Sequence, residues 1–432
     1  MQADTTPGAL DNAPRDALSV LLLALPLPLA RHVWGLLPVD VRMRCREVCP
    51  AWRDALAEPR LWTELDVTSS SGVTARVTPA LLLAAAARAG GRLERVRVKY
   101  DRPLEDTLLT VVAANIDTLR LLRLEGQFAT HDWLETLMRA APLQCVVEAG
   151  LTTVRAYPGS VLRNEPPFQN LRLHGLSFSR VADAAEMISL AADMAAHTSL
   201  RTLELYSAPL ETFAALDALV DAALALRLTK LQLEECHMTP ASAVALSRLL
   251  HGDALRELDV NYCGGGQAFQ EELLDAHAAA LLADALRNNR TLTSLSLVMV
   301  HLWPNAGAVL LEALIGHASL TCIDLLDDAD GECGALLGAL VANDSPKLHV
   351  LSVSNCELGD DGLGPLVDAL PLNTHLRELG CIDNGMSVAF ARNRLMPALA
   401  ANTSLQILHS GDADADALVA ARTAATAAAA HD

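Results

Sequence analysis

The acidic run Asp327, Asp328, Asp330, Gly331 and Glu332 has the residue types that hold a calcium ion in a loop. Such a loop needs oxygen ligands at fixed positions, with a glycine sixth and a carboxylate twelfth. Placing Gly331 sixth puts Leu326 first and Leu337 twelfth, where no side-chain oxygen is available, so a solvated loop is expected and no metal site. Gly264, Gly265 and Gly266 could wrap a phosphate, but the Lys and Ser or Thr that complete a P-loop do not follow; they read as a flexible insertion. His32 and Cys49 have the types of a nucleophilic dyad, yet both fall in short amphipathic stretches. The chain has no G-x-S-x-G elbow and no H-E-x-x-H pair. No catalytic residue, cofactor or metal is expected.

Composition narrows the partners. Of 432 residues, 51% are apolar but only 3% aromatic, so Leu, Ala and Val must fill the interior, which suits one small packing unit repeated many times. A formal charge of -19 argues against nucleic acid, whose phosphates require a basic surface. The nine cysteines form no C-x-x-C pair and no export leader is evident, which predicts reduced thiols in an intracellular protein, cytoplasmic and/or nuclear. The apolar run Ala17 to Ala30 contains Pro26 and Pro28 and follows Asp4, Asp11 and Asp16, so no membrane span is expected.

The elements that would position any site come from a repeat. The pattern L-x-x-L-x-L, with occasional Ile, Val or Cys, begins at Leu200, Leu228, Leu255, Leu292, Leu320, Leu348 and Leu376, and the last four starts are separated by a constant 28 residues. Weaker copies begin at Leu93, Leu119, Leu143, Phe168 and Leu405. Helical patterns follow at Ala241 to Leu250, Glu271 to Asn288, Ala306 to His317, Cys333 to Ala342 and Leu363 to Leu370. Each unit is thus strand, loop and helix. Cys236, Cys263, Cys356 and Asn384 occupy one slot, three residues after the last apolar residue of the motif, where a polar side chain can bond the turn backbone. The array resembles the ribonuclease-inhibitor class of leucine-rich repeats. That resemblance implies an α/β solenoid, a horseshoe with a parallel sheet inside and helices outside.

A second pattern lies upstream. Leu29, Val33 and Leu36 share one helical face, and Val41, Cys45, Val48, Trp52 and Leu56 form another stripe. With Leu25-Pro26, Leu36-Leu37-Pro38 and Leu61-Trp62, this stretch resembles a small all-α F-box. Pro50 predicts a helix start there. The expected division is a disordered tail over 1–16, the F-box over 17–66 and the repeat array over 67–432. The resemblance implies a Skp-type adaptor, linked to a cullin scaffold, docking on Leu25, Pro26, Leu29, Val33, Leu36, Pro38, Val41 and Val48. Trp52 and Trp62 would pack the box onto the repeat array.

In each strand the third, fifth and seventh positions of the motif should face the hollow. The candidate target-binding residues are therefore Arg95, Arg97, Arg123 and Arg172, then Glu204, Tyr206, Glu234, Glu257, Asp259 and Asp324. They predict a face running from basic to acidic. The function implied is a non-enzymatic target-recognition adaptor of an SCF-type ubiquitin ligase, its target unknown. The alternative is a leucine-rich-repeat interaction scaffold without a ubiquitin link.

Overall fold

The structure, a computed structural model, describes residues 29, 33, 41–43, 45, 50–67, 78–99, 104–154, 162–163, 165–178, 181–195, 197–236, 238–263, 275–298, 306–326, 333–342 and 348–429. The acidic run at 327–332 and the triple glycine at 264–266 lie outside these residues. Among the described residues thirteen strands, all parallel, follow one another in chain order, with helices between them. This is an α/β leucine-rich-repeat fold. Alternation in each strand sends the motif leucines to the helix side, so Leu203, Leu231 and Leu351 are fully buried. Each such side chain contributes about 1.5–3 kcal/mol.

The chain divides into two compact units. The first, Met1–Thr153 with Asn164–His174, starts at helix α1 (Pro50–Ala55), which begins on Pro50 as expected. Then come β1 (Glu64–Val67), α2 (Pro79–Ala89), β2 (Arg95–Lys99), α3 (Glu105–Ala114), β3 (Leu121–Thr130), α4 (His131–Ala140) and β4 (Val146–Val154). The α2 start is typical of how the sequence sets its helices: the Thr78 hydroxyl accepts the Leu81 N–H, Pro79 opens the helix, and Gly90 closes it with φ of 57°. One strand precedes all the repeats read from the sequence. β1 pairs in register with β2, Leu65 opposite Val96, with Trp62 at the first motif position where the other repeats have a leucine or Phe.

Strand β5 (Leu171–Phe178) contributes its first half to unit one and Gly175–Phe178 to the second unit, which is Val154–Arg163 with Gly175–Asp432. The motif starting at Phe168 describes only that first half. Leu173-x-x-Leu176-x-Phe178 has the same spacing and pairs with the next repeat, Leu176 opposite Leu203 and Phe178 opposite Leu205. The second unit continues with α5 (Ala184–Met194), β6 (Thr202–Tyr206), α6 (Phe213–Leu226), β7 (Lys230–Glu234), α7 (Ser242–Leu250), β8 (Glu257–Asn261), α8 (Ala276–Asn288) and β9 (Ser294–Val298). It ends with α9 (Ala306–Leu314), β10 (Cys322–Leu326), α10 (Gly334–Ala342), β11 (Val350–Ser352), α11 (Gly359–Ala369), β12 (Glu378–Gly380), α12 (Met396–Ala401), β13 (Ile407–His409) and α13 (Ala413–Ala429). Asp183, Thr212 and Asp275 cap α5, α6 and α8 through their side-chain oxygens.

Two devices recur at the strand ends. Beyond each of five strands a residue other than glycine takes left-handed backbone: Ser207, Glu235, Tyr262, Asn355 and Asp383, with φ between 51° and 58°. The turn lets the ladder continue, since the N–H groups of Ser207, Glu235 and Tyr262 reach the carbonyls of Glu234, Asn261 and Val298 at 2.8–2.9 Å. Before the strands, Asn289, Asn373 and Asn402 each stand three residues ahead of the first leucine and accept its N–H at 2.7–2.9 Å. His317 replaces the asparagine in one repeat, where Nδ1 accepts from Ser319 and Leu320 at 3.3 Å.

That substitution carries an acid sensitivity. Burial lowers the His317 pKa from its ordinary 6.5, and nearby Arg290 lowers it further. A lowered folded pKa means the unfolded chain takes up the proton first, so stability is full above the unfolded value and is lost as pH falls from there through the folded value. His317→Asn, which restores the neighbours' acceptor, is expected to reduce the loss in urea midpoint between pH 7 and pH 5. An unchanged loss would show that His317 is not a source of it.

The last strand is covered along its edge by α13. Thr423 Oγ1 donates to the Gln406 carbonyl at 2.9 Å, while Arg422 donates to the carbonyls of Leu399 and Leu405 at 2.8 and 2.6 Å and also to that of Asn402. No helix among the described residues is long and apolar enough to cross a membrane.

Candidate functional site

The N-terminal segment is tied to the first strand by a residue that the apolar pattern did not mark. Arg42 is 3% exposed, and its Nη1 and Nη2 donate to the carbonyls of Leu61 and Glu64 at 3.1 and 3.3 Å. Its guanidinium lies 5.0 Å from the centre of the Trp62 ring, and that of Arg88 lies 5.8 Å from it. Trp62 is fully buried, with Nε1 donating to the Leu56 carbonyl at 2.8 Å. Burial lowers the Arg42 pKa, opposed by the charges of Glu64 and Asp66. Helix residues around 42 are thereby tied to the head of β1. Of the eight sequence-chosen docking residues, Leu29 is 54% exposed and Val33 and Val41 are half-buried. Leu25, Pro26, Leu36, Pro38 and Val48 lie outside the described residues.

On the open face of the first unit's strands, the expected basic surface is mixed. Arg95 is paired with Glu64, Arg97 lies 3.7 Å from Asp66, and Arg123 lies 3.9 Å from Glu148. Glu148 also lies 3.8 Å from Arg172 and 4.0 Å from His174. The carboxylates belong to β1 and β4, the strands with no motif or the weakest one. Such half-exposed pairs contribute only about 0–1 kcal/mol each, but they offset much of the positive field of the arginines.

The second unit differs. Across β6 to β11 one row places Glu204, Gln232, Asp259, Ser296, Asp324 and Ser352 opposite one another in successive strands. Flanking rows add Glu257 beside Lys230 and Glu234 beside Tyr206. Glu204 is 6% exposed, with Lys230 Nζ at 3.5 Å. Gln232 Nε2 donates to Glu234 at 3.3 Å and to the Tyr206 hydroxyl at 3.5 Å. Burial raises the pKa of Tyr206, and Glu204, Glu234 and Asp259 raise it further. Asp324 is raised by burial and by Asp259, against a hydrogen bond from Ser352, and its Oδ1 is shut from solvent without a hydrogen-bond partner. The open-face residues from Glu204 to Asp324 therefore form one acidic surface.

The remaining groups are structural. The thiols of Cys236, Cys263 and Cys356 donate to the carbonyls of Leu205, Leu233 and Leu325 on the preceding strand at 3.6, 3.4 and 2.9 Å. Burial pushes the Cys145 thiol up to about 11 and the Cys381 thiol up to about 12, so neither is poised as a nucleophile. No cluster of three or more His, Cys, Asp or Glu suited to a metal occurs among the described residues.

No family model matches the sequence. No curated protein matches it either. Among solved structures, the chain is similar to one in the crystal structure of the Rad7 and Elc1 complex in yeast, at 16% identity and a TM-score of 0.40 over 78% of this chain and 74% of that one.

Proposed function

We propose that the chain is a target-recognition adaptor of an SCF-type ubiquitin ligase in the cytoplasm and/or nucleus. Its N-terminal helices dock a Skp-type adaptor joined to a cullin scaffold, and its repeats hold a protein target. The observation that carries this reading is the asymmetry around residues 29 to 62: Arg42 and Trp62 fasten one side to β1, while Leu29 stays 54% exposed. An exposed apolar side chain upstream of an anchored segment is suited to a partner's groove. No chemistry of its own is required. The adaptor contributes proximity, raising the effective concentration of the target beside a recruited enzyme.

The Arg42 anchor also favours a second reading, an interaction scaffold in which these helices serve only to cap the first strand. Co-precipitation separates the two. The full chain is expected to recover a purified Skp-type adaptor, and changing Leu36 to Ala and Pro38 to Asp should cut recovery at least about tenfold, the loss expected when anchor residues leave an interface. No recovery by the unmodified chain would leave the scaffold reading standing. Undiminished recovery by the variant would mean that docking uses another surface.

A further inference from the structure

We propose that the open face of β6 to β10 takes an extended, Lys- or Arg-bearing segment of a partner protein, laid across the strands. The inference rests on the repeats being the target-holding part of the chain, and is independent of the N-terminal docking step.

Two observations carry it. The first is a contrast within one repeat pattern. The first unit's open-face arginines, Arg95, Arg97, Arg123 and Arg172, each lie beside a carboxylate on a neighbouring strand. At the open-face positions of β6 to β10, among the described residues, five carboxylates (Glu204, Glu234, Glu257, Asp259 and Asp324) share the single cation Lys230, which sits against the most buried of them. The second is Asp324 Oδ1, an acceptor sealed from water with no donor. An acceptor atom left without a donor is unfavourable, and an incoming ammonium or guanidinium would supply one.

The dimensions fix the form of the occupant. Five strands at about 4.8 Å spacing span roughly 20 Å, the length of about six extended residues. Alternate side chains of such a segment point down, about 6.7 Å apart, so its basic residues reach carboxylates on different strands of the face.

The test uses the full chain and a fluorescent alternating Lys-Ser peptide, with a Glu-Ser peptide as its counterpart, read by anisotropy at low salt. The Lys-Ser peptide is expected to bind and the Glu-Ser peptide not. The double change Glu257→Lys and Asp259→Lys should weaken binding at least about tenfold, while Asp284→Lys with Glu312→Lys, the same change in net charge on the helix side, should leave it within about twofold. Glu257→Gln with Asp259→Asn, which preserves shape, should shift it in the same direction by less. Equal losses in the face and helix-side variants, or equal binding of the two peptides, would overturn the proposal. The variant changed at Leu36 and Pro38 must keep peptide binding, so a failure of adaptor capture with peptide binding intact concerns the docking reading alone.

Discussion

Replacing Trp62 by Ala is expected to cost about 3–5 kcal/mol, the range for emptying a fully buried aromatic site. The ring is wholly inaccessible and bonds the Leu56 carbonyl, and its face carries the Arg42 guanidinium. Removing the ring leaves that buried cation over a void instead of an aromatic surface, a further loss of about 0.5–2 kcal/mol. Urea unfolding followed by far-ultraviolet circular dichroism measures the total. Hydrogen exchange locates it, with protection expected to fall in β1 and β2 and to persist in β11 to β13, because stability in a repeat array passes between neighbours. Trp62→Phe should retain most of the packing and lose only the indole hydrogen bond, about 1 kcal/mol. Wild-type stability in the Ala variant would remove Trp62 as the point that holds the N-terminal helices.

The second large effect belongs to Asn384. Its amide nitrogen donates to the carbonyls of Val353, Cys381 and Ile382 at 2.7, 3.0 and 3.4 Å, and its oxygen accepts from the N–H groups of Cys356 and Leu358 at 3.0 and 3.3 Å. Alanine would leave several of these backbone groups buried and unpaired, for a loss on the order of 3–5 kcal/mol. Asn384→Cys installs the side chain used at the same slot in the preceding repeat. It recovers a donor to Val353 but no strong acceptor, so its stability should fall between wild type and Asn384→Ala. A cysteine variant no better than alanine would mean that the accepting half of the network dominates; an alanine variant within about 0.5 kcal/mol of wild type would show the network to be inessential.

The sequence made the repeats visible wherever one unit was copied with little change. Leu292, Leu320, Leu348 and Leu376 each begin a motif that pairs in register with its neighbour. The helix expected over Glu271 to Asn288 is described from Ala276 to Asn288, and that over Leu363 to Leu370 begins four residues earlier at Gly359. What escaped depended on register or on single polar atoms. Leu65 and Val67 continue a motif whose first position is Trp62 rather than a leucine, and the second half of β5 pairs with β6 in a frame that the motif starting at Phe168 does not mark. Neither feature can be seen until strands are paired. Glu148 neutralises Arg123 and Arg172 for the same reason: it lies on β4, where the motif is barely present. Arg42 left no trace in a search for apolar stripes. The asparagines of N-x-x-L were available to the eye, since Asn373 and Asn402 precede Leu376 and Leu405 by three residues, but they carry no signal in hydrophobic periodicity.

The bonds from Thr423 and Arg422 to the carbonyls of Gln406 and Leu405 bear on how the molecule behaves at high concentration. A parallel sheet built by stacking has no internal reason to stop, and a bare final strand invites another molecule to add itself there. By occupying those carbonyls, α13 turns a surface that could seed fibres into one that rejects further strands. The same Ala-rich helix that looks featureless in sequence thus limits self-association.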